Sequence, residues 1–155
     1  MNLYFSYGIN MDKTKMHNIC NNAKVYGIGK CNGYRFSINS NGCPTIISSD
    51  NSSLYGVLWK ISDAEVKILE TLNGKYKKKI NVSIEIINPA QNDRSIEYFN
   101  KHVNNNCVEA FSFKDIETTY GSPKQSYIVT ILSALKSNYI PQDYIQEIGF
   151  WLNIH

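Results

Sequence analysis

The residues of this chain best suited to chemistry stand together near its start, in the run Tyr4-Phe5-Ser6-Tyr7-Gly8-Ile9-Asn10-Met11. A short β-type segment, Leu3-Tyr4-Phe5, breaks at Gly8 and leads into Asp12-Lys13-Thr14-Lys15-Met16, which reads as helix. A strand that turns at a glycine into a helix N-terminus aims several backbone N–H groups at one point. Such a point binds carboxylate or phosphate. Gly8 suits this role because glycine takes up positive φ and lets a ligand approach the backbone closely. Many strand–turn–helix junctions bind nothing, so the rest of the chain must carry the reading further.

Further landmarks follow in order. They are Val25-Tyr26-Gly27, Gly33-Tyr34-Arg35-Phe36, Pro44-Thr45-Ile46-Ile47, and the strand-like run from Leu54 to Ile61 with Tyr55-Gly56 and Trp59 in it. Then come Leu69-Glu70-Thr71-Leu72-Asn73-Gly74, Ser122-Pro123-Lys124-Gln125-Ser126-Tyr127 and Ile140-Pro141-Gln142-Asp143-Tyr144. In this order they resemble the γ-glutamylcyclotransferase-like (AIG2-like) family over most of the chain. The first run resembles its Tyr-Gly-Ser-Asn loop, Leu54 to Ile61 its Val-x-Gly-x-x-Tyr/Trp strand, and Leu69 to Gly74 its Leu-Asp-x-x-Glu-Gly segment. The resemblance implies an α+β fold, a small curved mixed sheet or β-barrel with flanking helices, as one domain over residues 1–155.

The resemblance also implies a reaction. In the family the α-amine of a γ-glutamyl group attacks its own side-chain amide carbonyl, giving 5-oxoproline and a free amine. One carboxyl group between the attacking and leaving amines can take a proton from the first and give one to the second. Backbone donors of the loop would hold the substrate carboxylate and stabilise the developing oxyanion. By this resemblance Tyr7, Gly8, Ile9, Asn10, Met11 and Tyr127 are ligand-binding positions. Two departures fall within the site. Ile9 stands where the family loop has Ser, and Asn73 stands where the family has its catalytic Glu. An amide has no proton to exchange near neutral pH, so Asn73 can hold a ligand but cannot shuttle its protons. Glu70, three residues upstream and on the same helical face if the helix continues, is the candidate substitute.

These positions need elements to hold them. Leu3 to Ser6, Lys24 to Tyr26, Tyr34 to Ile38, Thr45 to Ser48 and Leu54 to Ile61 read as strands. Asn39-Ser40-Asn41-Gly42 reads as a turn, with Asn-Gly its strongest signal, and Asp50-Asn51-Ser52-Ser53 as another. Ser62-Asp63-Ala64-Glu65 is a capping-box pattern that opens a helix with Val66, Leu69 and Leu72 on one face and Gly74 at its end. Tyr76 to Ile87 alternates apolar Ile80, Val82, Ile84 and Ile86 with polar partners, the period of a sheet with one wet face. A turn follows at Pro89 to Asp93, a strand at Ser95 to Asn100, and a loop at Asn104 to Asn106. Ser122-Pro123 starts a helix with Ile128, Ile131, Leu132 and Leu135 on one face, and Pro141 starts another from Gln142 to Ile148.

Composition narrows the function classes. The 155 residues are 43% hydrophobic, enough for one core, and carry a net charge of +3, too little to predict nucleic-acid binding. The one concentrated basic run, Lys77-Lys78-Lys79, reads either as a solvated strand face or as a patch that draws in an anion. Cys20, Cys31, Cys43 and Cys107 have neither Cys-x-x-Cys spacing nor a neighbouring His, so the chain predicts no metal site and no cofactor. No apolar run approaches membrane-spanning length and the N-terminus lacks a signal-peptide pattern, which predicts a cytoplasmic protein without a membrane partner. Three functions remain open at this stage. The first is a binder of a small anionic metabolite or nucleotide-like ligand, for which the Tyr-rich first half would supply stacking surfaces. The second is an active γ-glutamyl(amine) cyclotransferase with a relocated acid/base. The third is an interaction protein with a vestigial pocket.

Overall fold

The computed structural model of the chain describes residues 2–89 and 106–153. Five strands, β1 (Asn2–Ser6), β2 (Lys24–Ile38), β3 (Pro44–Ile61), β4 (Lys77–Pro89) and β5 (Cys107–Asp115), close into a barrel in the order β1-β3-β2-β4-β5. The sheet is mixed. β1 runs antiparallel to β3, and β2 antiparallel to β3 and β4, whereas β5 closes on β1 in parallel with Tyr4 opposite Phe111. Among the described residues four helices flank it: α1 (Lys13–Ile19), α2 (Asp63–Asn73), α3 (Gln125–Ser137) and α4 (Gln142–Gly149). The expected α+β architecture of a curved mixed sheet with surrounding helices is the one found.

Local chemistry explains most of these elements. Ser62 caps α2 with its side chain on the Glu65 amide, and the Glu65 carboxylate returns to the Ser62 amide, so the capping box is complete. The same carboxylate accepts from Asn22 N–H at 3.1 Å, which ties the connection after α1 to α2. In β4, Val82, Ile84 and Ile86 are buried while Asn81 and Ser83 are exposed, as period two requires. Ile128, Ile131, Leu132 and Leu135 form the buried face of α3.

Four local expectations change. The separate strands at 24–26 and 34–38 are one strand, β2, which bends at a register shift beside Gly33, where φ is +92°. The run Asp50-Asn51-Ser52-Ser53 does not reverse the chain. Ser53 stands opposite Asn32 and Ser48 opposite Tyr34, so residues 49–52 of β3 bulge out opposite Gly33. A five-stranded barrel must curve sharply, and bulges supply that curvature. Leu72 is 61% exposed rather than part of the buried face of α2. α3 starts after Lys124 rather than at Ser122-Pro123, because Lys124 N–H bonds Gly42 O at 3.1 Å and holds the segment against the β2–β3 turn. The strand expected at Ser95 to Asn100 and the turn beyond Pro89 lie outside the described residues.

Gly56 shows how tightly β1 seats on β3. A Cβ there would lie 2.2 Å from Ser6 O and 2.9 Å from the Phe5 ring. Gly56→Ala should therefore force the strands apart and lower stability by about 1–3 kcal/mol, the usual cost of overpacking. Urea unfolding measures this, and a midpoint equal to wild type would show that β1 can shift freely.

Candidate functional site

The loop that follows β1 is held by buried side chains of the sheet. Trp59 on β3 is fully buried. Its indole N–H points at both Ser6 Oγ and Asn10 O, each at 3.0 Å, and Ser6 Oγ in turn donates to Val57 O at 3.0 Å. The Asn10 side chain donates to Tyr4 Oη at 3.2 Å, and Tyr7 Oη donates to Phe113 O on β5 at 2.5 Å. Between these anchors residues Ile9–Met11 form one 3-10 turn, closed by Met11 N–H to Gly8 O and Asp12 N–H to Ile9 O. The amides of Gly8, Ile9 and Asn10 take no part in the turn's own hydrogen bonds.

Gly8 adopts φ −114° and ψ −143°, so positive φ is not what it contributes. The 3-10 turn that follows changes the chain direction instead. A Cβ on Gly8 would meet Pro44 Cβ at 3.6 Å, an ordinary contact. What glycine leaves is space between the loop and Pro44.

That space opens into a cavity of about 470 Å³. Tyr7, Gly8, Ile9 and Asn10 line it together with Asn73 from the end of α2 and Tyr127 from α3. Six of the positions named from the sequence thus meet around one cavity. Two do not. Met11 lines no part of it, because its side chain is buried in the core. Glu70 is exposed and also stands outside, because burial of Leu69 turns its neighbour to solvent. Leu69, Leu72 and Asn73 are the α2 residues that face the cavity. Asn73 Nδ2 donates to Leu69 O at 2.7 Å, which fixes the amide at the helix end.

The sequence reading missed Lys77 as an individual site residue and treated it as one of three equivalent lysines. Lys78 and Lys79 are exposed, but Lys77 Nζ lies in the wall, 3.1 Å from Asp115 Oδ1 and 3.2 Å from Pro44 O. Asp115 Oδ2 accepts from Asn39 Nδ2 at 2.8 Å, so the pair is braced by the β2–β3 turn. The signal that could have found Lys77 is its place at the start of a strand directly after the helix that ends in Asn73. Tyr4, Ile19, Pro44, Ser112 and Phe113 also line the cavity. Cys43, half-buried, also lines it, whereas burial pushes the Cys20 and Cys31 thiols up to about 11 and keeps them protonated at neutral pH.

Three buried phenols are likewise held neutral. Burial raises Tyr4 from 10.0 to about 12, against the lowering effect of its bond from Asn10, and burial raises Tyr7 and Tyr144 further still. A folded pKa above the unfolded one means stability that is complete below pH 10 and lost as pH rises through about 12. In an alkaline titration, tyrosinate absorbance should therefore include a late step that coincides with loss of the circular dichroism signal. Full ionisation of all tyrosines before any unfolding would contradict this burial.

With this geometry in view, comparison with known proteins is specific. A family profile described as gamma-glutamyl cyclotransferase, AIG2-like, matches residues 4–110. A solved structure titled gamma-glutamyl cyclotransferase superposes with a TM-score of 0.77 at 20% identity, over 96% of this chain and 86% of that one. An uncharacterised protein from Homo sapiens gives a TM-score of 0.77 at 19% identity over the same shares. YkqA from Bacillus subtilis gives 0.70 at 15% identity, over 98% of this chain and 54% of its own. At these identities the structural likeness shows the fold alone. No curated protein sequence matches the chain. The profile match spans more than half of the residues, and the chain belongs to the gamma-glutamyl cyclotransferase, AIG2-like family.

Proposed function

We propose that this protein binds a small anionic ligand in the cavity beside Tyr7 to Asn10 and holds it without cyclotransferase turnover. The observation that carries this reading is the charge of the lining. Among the described residues around the cavity, Lys77 is the only Lys, Arg, His, Asp or Glu. An ammonium has three donors, and two of those on Lys77 are engaged by Asp115 and Pro44, which leaves one for a ligand. The turn amides of Gly8 to Asn10, which line the same cavity and are not used by the turn itself, add donors. Together they suit a carboxylate or phosphate.

The lining that attracts an anion also lacks a proton shuttle. The position that the family resemblance gives to the acid/base is Asn73, whose amide is engaged with Leu69 O. Acid–base assistance is worth roughly 100- to 10,000-fold in rate, and without it ring closure rests on orientation alone. One observation favours the second reading, an active γ-glutamyl(amine) cyclotransferase with a relocated acid/base. The Asp115 carboxylate sits 3.1 Å from Lys77 Nζ, in contact with a residue of the cavity wall, whereas Glu70 is exposed.

The two readings separate by experiment. Wild-type protein incubated with a panel of γ-glutamyl amides and amines should release little or no 5-oxoproline, while Asn73→Glu should raise release above that baseline. Robust wild-type release that disappears in Asp115→Asn would overturn the binding reading in favour of the enzyme. A thermal-shift screen of small carboxylates and phosphates tests the ligand itself. At 100 times its dissociation constant a ligand adds about 2.7 kcal/mol. Gly8→Val fills the space beside Pro44 without backbone strain, so it should abolish the shift while leaving the circular dichroism spectrum unchanged. An unchanged shift would remove the loop from ligand binding.

A further inference from the structure

A second cavity, of about 430 Å³, adjoins the first. Cys43, Asn73 and Lys77 line both, so the two cavities meet at these three residues. The second cavity lies under the β2–β3 turn, between the end of α2 and the segment that leaves β5. Its chemistry differs from that of its neighbour. Lys75 and Lys77 are balanced by Asp115 and Glu117, so its lining carries no net formal charge.

Two exposed hydrophobic side chains line the second cavity. Tyr76 is 75% exposed and Ile116 56% exposed, and the two are joined by Ile116 N–H to Tyr76 O at 3.0 Å. Lys75 Nζ lies 5.3 Å from the centre of the Tyr76 ring. Exposed aromatic side chains of this kind offer a face for stacking. Deeper in, Asn39 is consumed by the wall: its oxygen accepts from the Asn41 and Cys43 amides and its Nδ2 donates to Asp115. Asn41 and Asn73 also line the cavity, and the Asn41 amide and the Asn73 side-chain oxygen suit the edge of a planar, polar ring.

We infer that the two cavities are one bipartite site, in which the first takes an anionic head and the second takes a neutral, planar, hydrogen-bonding arm stacked on Tyr76. A nucleoside phosphate has this chemistry. The inference rests on the anion-binding reading above and names the ligand class for it. Lys77 stands at the junction, where the head and the arm are joined, and Asp115 holds it there.

Calorimetric titration with three probes separates the parts: ribose 5-phosphate for the head, adenosine for the arm, and adenosine 5′-monophosphate for both. The monophosphate should bind at least about tenfold more tightly than ribose 5-phosphate, in line with the usual worth of one stacked base. Tyr76→Ala, a surface change that leaves the core intact, should reduce the monophosphate to the affinity of ribose 5-phosphate and leave ribose 5-phosphate unchanged. Equal binding of the two phosphates, or full retention of monophosphate affinity in Tyr76→Ala, overturns the second subsite while the anion site stands. Absence of binding by both phosphates overturns the anion-binding reading and the bipartite site together.

Discussion

The single N–H of the Trp59 indole organises this protein. The indole is fully buried on β3, with the ring of His17 of α1 packed edge-on against it, and its N–H is shared between Ser6 Oγ, where β1 ends, and Asn10 O, in the turn beyond. An indole has one donor and no acceptor, so its position dictates where those two oxygens must lie. Ser6 passes the constraint to Val57, and Asn10 passes it to Tyr4 through its side chain. The strand, the turn and the cavity rim are thus referenced to one buried ring. In a low-dielectric interior such a network is strong when every member is satisfied and costly when one is lost. The site is therefore built on the barrel rather than hung from it.

Around that rigid edge the electrostatics are arranged through a single ion pair. Lys77 and Asp115 face each other at the ends of β4 and β5, with side chains 21% and 13% exposed. Partial burial makes the pair worth more than a surface bridge but charges it with desolvation. Additional bonds from Asn39 to Asp115 and from Lys77 to Pro44 offset that cost. The pair also divides the lining, since Lys77 lines both cavities while Asp115 lines only the second.

Membership of the family and the chemistry of the site are separate statements, because a fold hosts a function only where the site residues allow it. The scaffold requirements are met: a glycine strand that lets β1 approach, a buried tryptophan, a capped helix delivering its last residue to the cavity. The residue delivered is an amide. The same backbone can bring a carboxyl group or an amide to that point without any change of fold, so the scaffold is indifferent to the difference on which proton transfer depends.

Much of this was legible in the chain. Tyr7-Gly8-Ile9-Asn10 could be singled out, the Ser62–Glu65 capping box located α2, and the alternation of Val82, Ile84 and Ile86 located β4, because these signals depend on residues close in sequence. The family resemblance then joined Asn73 and Tyr127 to the loop. Other features depended on contacts that no local pattern encodes. Met11 and Leu72 exchanged roles, one buried and one at the cavity, because packing against neighbouring elements decides which face of a short helix is covered. Glu70 turned outward for the same reason. Lys77 looked identical to Lys78 and Lys79 in sequence, and only strand register set it opposite Asp115. The continuous curvature of β2 and β3 was hidden because a closed barrel imposes bulges where the sequence reads as a turn. Sequence alone determined most of the elements and the identity of the chemical groups. The tertiary structure decided which of those groups meet, since distance in space, burial and register are properties of the closed barrel and not of any segment within it.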